Sequence, residues 1–119
     1  MKAFGIHYIV ELFQGNVQKL DDLDFLKDVL VTAAALSDSH VLNVFCFKFE
    51  PQGVSINITL SESHLAIHTF PEIDYASLDF YTCSLNREGL DTAIEFIIDQ
   101  LEVKNPQILK LDRGVTNAV

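Results

Sequence analysis

From Val54 to Ser61 the chain reads VSINITLS, a strict alternation of apolar and polar side chains. Val54, Ile56, Ile58 and Leu60 fall on one side, and Ser55, Asn57, Thr59 and Ser61 on the other. Period two over eight residues marks a strand with one face in a core and the other away from it. A helix of 3.6 residues per turn would scatter the four apolar groups around its axis. The chain must therefore build a sheet covered on one side. Pro51-Gln52-Gly53 supplies the turn before this strand, and residues 40–49, HVLNVFCFKF, rich in Val and Phe, read as the strand ahead of it.

The next stretch, ESHLAIHTF at 62–70, holds two of the four histidines, set four apart. On a helix that spacing would bring both imidazoles within reach of one metal ion. On a strand they stand ~13 Å apart, beyond the reach of any single ion. HLAIHTF is only seven residues, sits between the alternating strand and Pro71, and has no capping residue or helical continuation. It reads as a strand. His64 and His68 then share a face without chelating, and no metal site is expected.

Residues 2–13 and 75–83 read as further strands, the second following PEID, and QILKLD at 107–112 as a short last one after Pro106. Two segments carry helical spacing. DDLDFLKDVLVTAAAL aligns Leu23, Leu26, Leu30 and Ala33 or Ala34, with Asp21, Asp22 and Asp24 placed in the first turn, where the helix dipole favours negative charge. NREGLDTAIEFIIDQL aligns Leu90, Ile94, Ile97, Ile98 and Leu101. Two helices and about six strands joined by short turns predict an α+β fold: a two-layer sandwich, its largely antiparallel sheet carrying both helices on one face. No repeat, low-complexity tract or linker divides residues 1–119, so one domain is expected.

Composition narrows the partners. At 49% hydrophobic and 21% charged residues, 119 residues can bury a real core. A net charge of -9 argues against nucleic acid, which needs clustered Lys and Arg. It suits a cationic small ligand, and equally plain solubility. Cys46 and Cys83 form no CxxC pair, and residues 3–13 alternate rather than forming a secretory leader, which suggests free thiols in a reducing cytoplasm. No apolar run is long enough to span a membrane.

Period two also sorts the polar residues. Ser55 lies on the polar side of its strand, His68 with His64, Ala66 and Phe70, and Cys83 with Tyr75, Ser77, Asp79 and Tyr81. Pairing of adjacent strands is expected to put Ser55, His68 and Cys83 on one side of the sheet. Singly, each has an ordinary role: a solvated serine, a half-buried histidine, a small buried thiol. Together they suit proton transfer near neutral pH and a hydroxyl forced onto a carbonyl. No GxSxG, GxGxxG or P-loop is present.

Residues 53–83 resemble the signature region of prokaryotic S-adenosylmethionine decarboxylases. GVS at 53–55, ESHLAIHTFPE at 62–72, YAS at 75–77 and TC at 82–83 match in order and spacing, and the likeness extends over nearly the whole chain. The resemblance implies a proenzyme that cuts itself between Glu62 and Ser63 into chains 1–62 and 63–119. Ser63 would become a pyruvoyl group, which forms a Schiff base with the substrate amine. His68 would take the Ser63 Cα proton during processing, Ser55 would support the oxyanion, and Cys83 would protonate the product carbon. Phe49, Phe70 and Glu72 would hold the nucleoside of S-adenosylmethionine. The implied product feeds spermidine synthesis, and the implied assembly is a homodimer with sites shared between protomers. Many members have tryptophan where this chain has Phe70, and glycine where it has Ser84. A smaller ring at 70 leaves room for another amine, and some relatives decarboxylate arginine or ornithine. A third reading is a homologue that binds a nucleoside or a partner chain without processing.

Overall fold

The computed structural model describes residues 3–61, 63–83 and 86–115. Glu62 and Ser84 therefore lie outside the described residues. Six strands form one sheet: β1 (Gly5–Phe13), β2 (Val41–Lys48), β3 (Val54–Leu60), β4 (Ser63–Phe70), β5 (Tyr75–Thr82) and β6 (Asn105–Arg113). Their order is β2-β3-β4-β5-β1-β6, and every neighbouring pair is antiparallel. The helices are α1 (Val17–Leu20), α2 (Leu23–Leu36) and α3 (Arg87–Gln100), and a single 3-10 turn spans Pro71–Ile73.

The alternation in β3 is realised in full: Val54, Ile56, Ile58 and Leu60 are all buried. Across the ladders the same face carries Leu65 and Ile67 of β4, Ala76, Leu78 and Phe80 of β5, and Ile6, Tyr8, Val10 and Leu12 of β1. Leu26, Leu30, Ala33 and Ala34 of α2 and Leu90, Ala93, Ile94 and Ile97 of α3 complete this single core. Each such Leu, Ile or Phe gains roughly 1.5–3 kcal/mol from leaving water, which is what fixes the helices to this face. Leu23 and Ile98 are partly buried at its rim.

Three details depart from the sequence reading. A third helix, α1, is present; at four residues it is too short to show periodicity, and it forms because the Asn16 side chain accepts from Lys19 N at 3.0 Å. The three aspartates do not share one helical turn. Asp22 is the N-cap of α2, accepting from Phe25 N at 3.1 Å, and Asp24 lies in the first turn, while Asp21 closes α1 and turns toward the sheet. Pro106 lies inside β6, opposite Leu12, rather than before the strand. An edge strand tolerates it, because a residue without N–H can face away from the ladder.

Among the described residues, no helix covers the opposite face of the sheet. Phe45 and Phe47 of β2, Phe70 of β4, and Leu109 and Leu111 of β6 stand there, each between 41% and 59% exposed. Five large apolar side chains thus stand exposed on this face.

Candidate functional site

Ser55 and His68 are direct partners in the β3–β4 ladder. Both point to the open face, and Ser55 Oγ lies 2.8 Å from His68 Nδ1. Buried Thr69 anchors the same pair of strands from the core side, accepting from Val54 N at 2.9 Å and donating to Val54 O at 3.3 Å. His68 is thus held by a ladder, a hydroxyl and a neighbouring buried contact.

Beside this pair opens a cavity of about 410 Å³ whose lining includes Phe49, Gly53, Ser55, His68, Phe70 and Glu72. The turn between β2 and β3 forms one wall, closed by Phe49 N donating to Gly53 O at 2.8 Å. Gly53 has φ +109, which favours glycine, and a Cβ there would sit a tight 3.3 Å from Thr69 O. From behind, Asp21 Oδ1 accepts from Gly53 N and from Lys48 Nζ, both at 2.8 Å. The Lys48 hydrogen bond first, and Gly53 second, hold the Asp21 carboxyl below its ordinary pKa. Nothing in the sequence marked Asp21 for this task; the only signal is an Asp-Asp pair of which one member suffices as a cap.

Phe70 forms the other wall. It stacks on Tyr75, with ring centroids 5.7 Å apart and planes at 21°, and Tyr75 stacks on Phe13 at 5.1 Å and 28°. Tyr75 OH donates to Glu11 Oε1 at 2.5 Å, and burial, then that carboxylate, pushes the Tyr75 pKa up to about 12.

Ser63 and Cys83 are elsewhere. They line a second cavity, about 240 Å³, together with Asp38, Ser39, His40, Ser61 and Thr82, and Ser63 Oγ donates to Ser61 O at 3.3 Å. This cavity lies at the other end of β4, five residues or ~16 Å from His68. Cys83 is likewise six residues beyond Ser77, the β5 partner of His68. Sharing a side of the sheet, as expected of Ser55, His68 and Cys83, does not bring all three together: the first two meet, and Cys83 lines the cavity with Ser63. Alternation identifies a face, but not the position along it. His7, His64 and Tyr81 cluster next to the Ser63 end of the sheet, His7 meeting the other two rings in T-shaped contacts.

The sequence profile of the S-adenosylmethionine decarboxylase family matches residues 6–114. The chain belongs to that family. It is 46% identical over 117 residues to S-adenosylmethionine decarboxylase proenzyme 2 of Bacillus cereus, covering 98% of this chain and 94% of the relative. The S-adenosylmethionine decarboxylase proenzyme of Oceanobacillus iheyensis is 41% identical over 115 residues, covering 97% and 90%. Among solved structures, the adenosylmethionine decarboxylase of Aquifex aeolicus superposes with a TM-score of 0.91 at 26% identity, over 100% of this chain and 98% of that one. The two cavities above therefore sit on the fold of that family.

Proposed function

We propose that the chain is a self-processing decarboxylase of S-adenosylmethionine, active as a symmetric dimer in which each site joins Ser63 and Cys83 of one protomer to Ser55, His68, Phe49, Phe70 and Glu72 of the other. The observation that carries the reading is the pair of complementary half-sites at opposite ends of one strand. Two copies packed open face to open face, about a two-fold axis lying across the strands, set each end against the opposite end of its partner. The apolar side chains exposed on that face are the surface such packing would cover.

Processing follows from the residues. Ser63 Oγ attacks the Glu62 carbonyl carbon, the amide C–N bond breaks, and an ester with a free Ser63 amine remains. Ser55 supplies a hydroxyl to the developing oxyanion. His68, oriented by Ser55, takes the Ser63 Cα proton; the Cβ–O bond breaks and Glu62 leaves as a carboxylate. Water then converts the dehydroalanine at 63 to a pyruvoyl group with release of ammonia. The residues fit that group, because Ser63 opens onto a cavity shared with a thiol, with room for a small keto-acyl cap.

In turnover the pyruvoyl carbonyl supplies an electron sink for the pair left when carbon dioxide departs. Phe49 and Phe70 stack on the adenine or face the sulfonium cation, and Glu72 accepts from the ribose hydroxyls. Cys83 returns a proton to the product carbon, yielding the aminopropyl donor used for spermidine. Cys46 and Cys83 are present as thiols rather than as a disulfide, which suits a cytoplasmic enzyme. No described helix is long and apolar enough to cross a membrane.

The test is an intact-mass measurement on purified protein, followed by carbon dioxide release from S-adenosylmethionine, arginine and ornithine in parallel. Two chains, 1–62 and a carbonyl-capped 63–119, with turnover of S-adenosylmethionine alone, are expected. Ser63→Ala should stay full length. A wild-type chain that remains whole after prolonged warming overturns the proposal; turnover of a basic amino acid instead changes its substrate.

A further inference from the structure

We infer that Tyr75 is a positioning residue for substrate: it holds the Phe70 ring as a fixed wall of the 410 Å³ cavity, with Glu11 and Phe13 as its supports. The inference rests on the reading above, in which Phe70 contacts the nucleoside.

Phe70 is the last residue of β4 and Tyr75 the first of β5, and they are partners in that ladder. With Phe13, at the end of β1, they form a row of three near-parallel rings across three adjacent strands. The middle ring is the one tethered. Tyr75 is held by its own strand, by Phe13 on one flank, and by a hydroxyl donating to the Glu11 carboxylate. Glu11 lies two residues before Phe13 on the same face of β1, so both supports come from one strand.

Phe70 has no such tether of its own. Its side chain carries no hydrogen-bonding group, it is 41% exposed, and a 3-10 turn begins at the next residue. A phenyl ring in that setting has several staggered rotamers open to it. Offset stacking on a fixed neighbour selects one. In the rotamer selected, Phe70 lines the same cavity as Phe49, where its ring can receive the flat face of a ligand. A base entering such a slot finds its wall already in place, and the ordering loss is removed from binding.

A support of this kind acts before chemistry, on association of substrate. Loss of Tyr75 should raise KM and leave kcat almost unchanged, the signature of an interaction equal in ground state and transition state. It should do so only through Phe70.

The test is a double-mutant cycle on processed enzyme, with the processed fraction of each variant counted by intact mass. Tyr75→Leu should raise KM for S-adenosylmethionine about three- to tenfold, the scale of one aromatic pair, with kcat within about twofold. Tyr75→Phe, which keeps the ring and loses the tether, should give a smaller rise, and Glu11→Gln, which keeps an acceptor, should match or improve on Tyr75→Phe. In a Phe70→Leu background, Tyr75→Leu should add nothing. Additive effects, or a raised KM in Phe70→Leu with an unchanged KM in Tyr75→Leu, overturn the inference and leave the site reading standing. An unchanged KM in Phe70→Leu overturns that reading of Phe70, and the inference with it. If Tyr75→Leu fails to fold, Tyr75→Phe alone and with Phe70→Leu carries the same comparison.

Discussion

Ser63 and His68 lie on one strand, five positions apart and on opposite sides of its alternation. A side chain cannot cross ~16 Å of its own rigid ladder, so the two can act on one peptide bond only when they belong to different copies. Complementation tests this directly. Neither Ser63→Ala nor His68→Ala proenzyme should process normally alone. Co-expressed, they should form mixed dimers with one intact pairing, and the His68→Ala chain alone should be cut, in up to half of the molecules. If the Ser63→Ala partner gives no rescue, the site is not shared.

The two proton-handling residues should fail differently. His68→Ala should stall as an ester between Glu62 and Ser63, and hydroxylamine should split it, since it cleaves esters and spares amides. Cys83→Ala should still process, yet turn over ~10²–10⁴-fold more slowly and inactivate as protons reach the wrong carbon. A Cys83→Ala enzyme of wild-type rate and lifetime would show that the thiol is only packing.

Asp21 should matter through the turn it braces. Asp21→Ala leaves the part-buried Gly53 N–H without its acceptor, at a cost of about 1 kcal/mol, and frees the wall that carries Phe49. Lower thermal stability and a raised KM are expected together. Asp21→Asn retains an acceptor for Gly53 and should recover most of both. An alanine variant indistinguishable from wild type in melting and KM would refute this.

Stability should fall away at both ends of the pH scale for separate reasons. Tyr8 OH donates to Asp91 at 2.8 Å, and burial, then Asp91, pushes its pKa up to about 12, as Tyr75 is pushed beside Glu11. Both folded values lie above the ordinary tyrosine value near 10, so their contribution is whole below about pH 10 and is lost as pH rises toward 12. Thermal melts should show a steepening loss across that window, partly relieved in Tyr75→Phe; a flat profile there would contradict it. Asp21 and Asp91 are depressed instead, by Lys48 and by Tyr8 first, so their contribution is present above ordinary carboxylate pKa values and disappears as acid protonates the folded carboxyls.

How much of this was legible beforehand follows from the range of each signal. The period-two pattern of 54–60 placed β3, its buried face and the outward turn of Ser55, because alternation is local. The meeting of Ser55 with His68 was not legible, since ladder register depends on turn length and partner choice. Cys83 shows the same limit. Its parity was readable, while its distance along the sheet depended on which end of β5 faced which end of β4. The sequence reading puts Asp21 in a helical first turn because the dipole there favours negative charge, and only tertiary packing reveals that Asp21 serves the Gly53 turn instead. Tyr75 and Glu11 are 64 residues apart, beyond any spacing argument.

The strand order carries a consequence for what a cut chain is. A break between 62 and 63 assigns β1, β2 and β3 to one fragment and β4, β5 and β6 to the other, yet β1 is threaded between β5 and β6. The fragments are interleaved like the fingers of two hands: three contiguous borders, β3–β4, β5–β1 and β1–β6, join pieces no longer linked by peptide bonds. To separate them, β1 must be drawn out of the sheet along both its edges at once. The processing proposed above would therefore trade a covalent bond for a woven one, and a single unfolding event would become a dissociation whose reversal depends on the concentration of both strips.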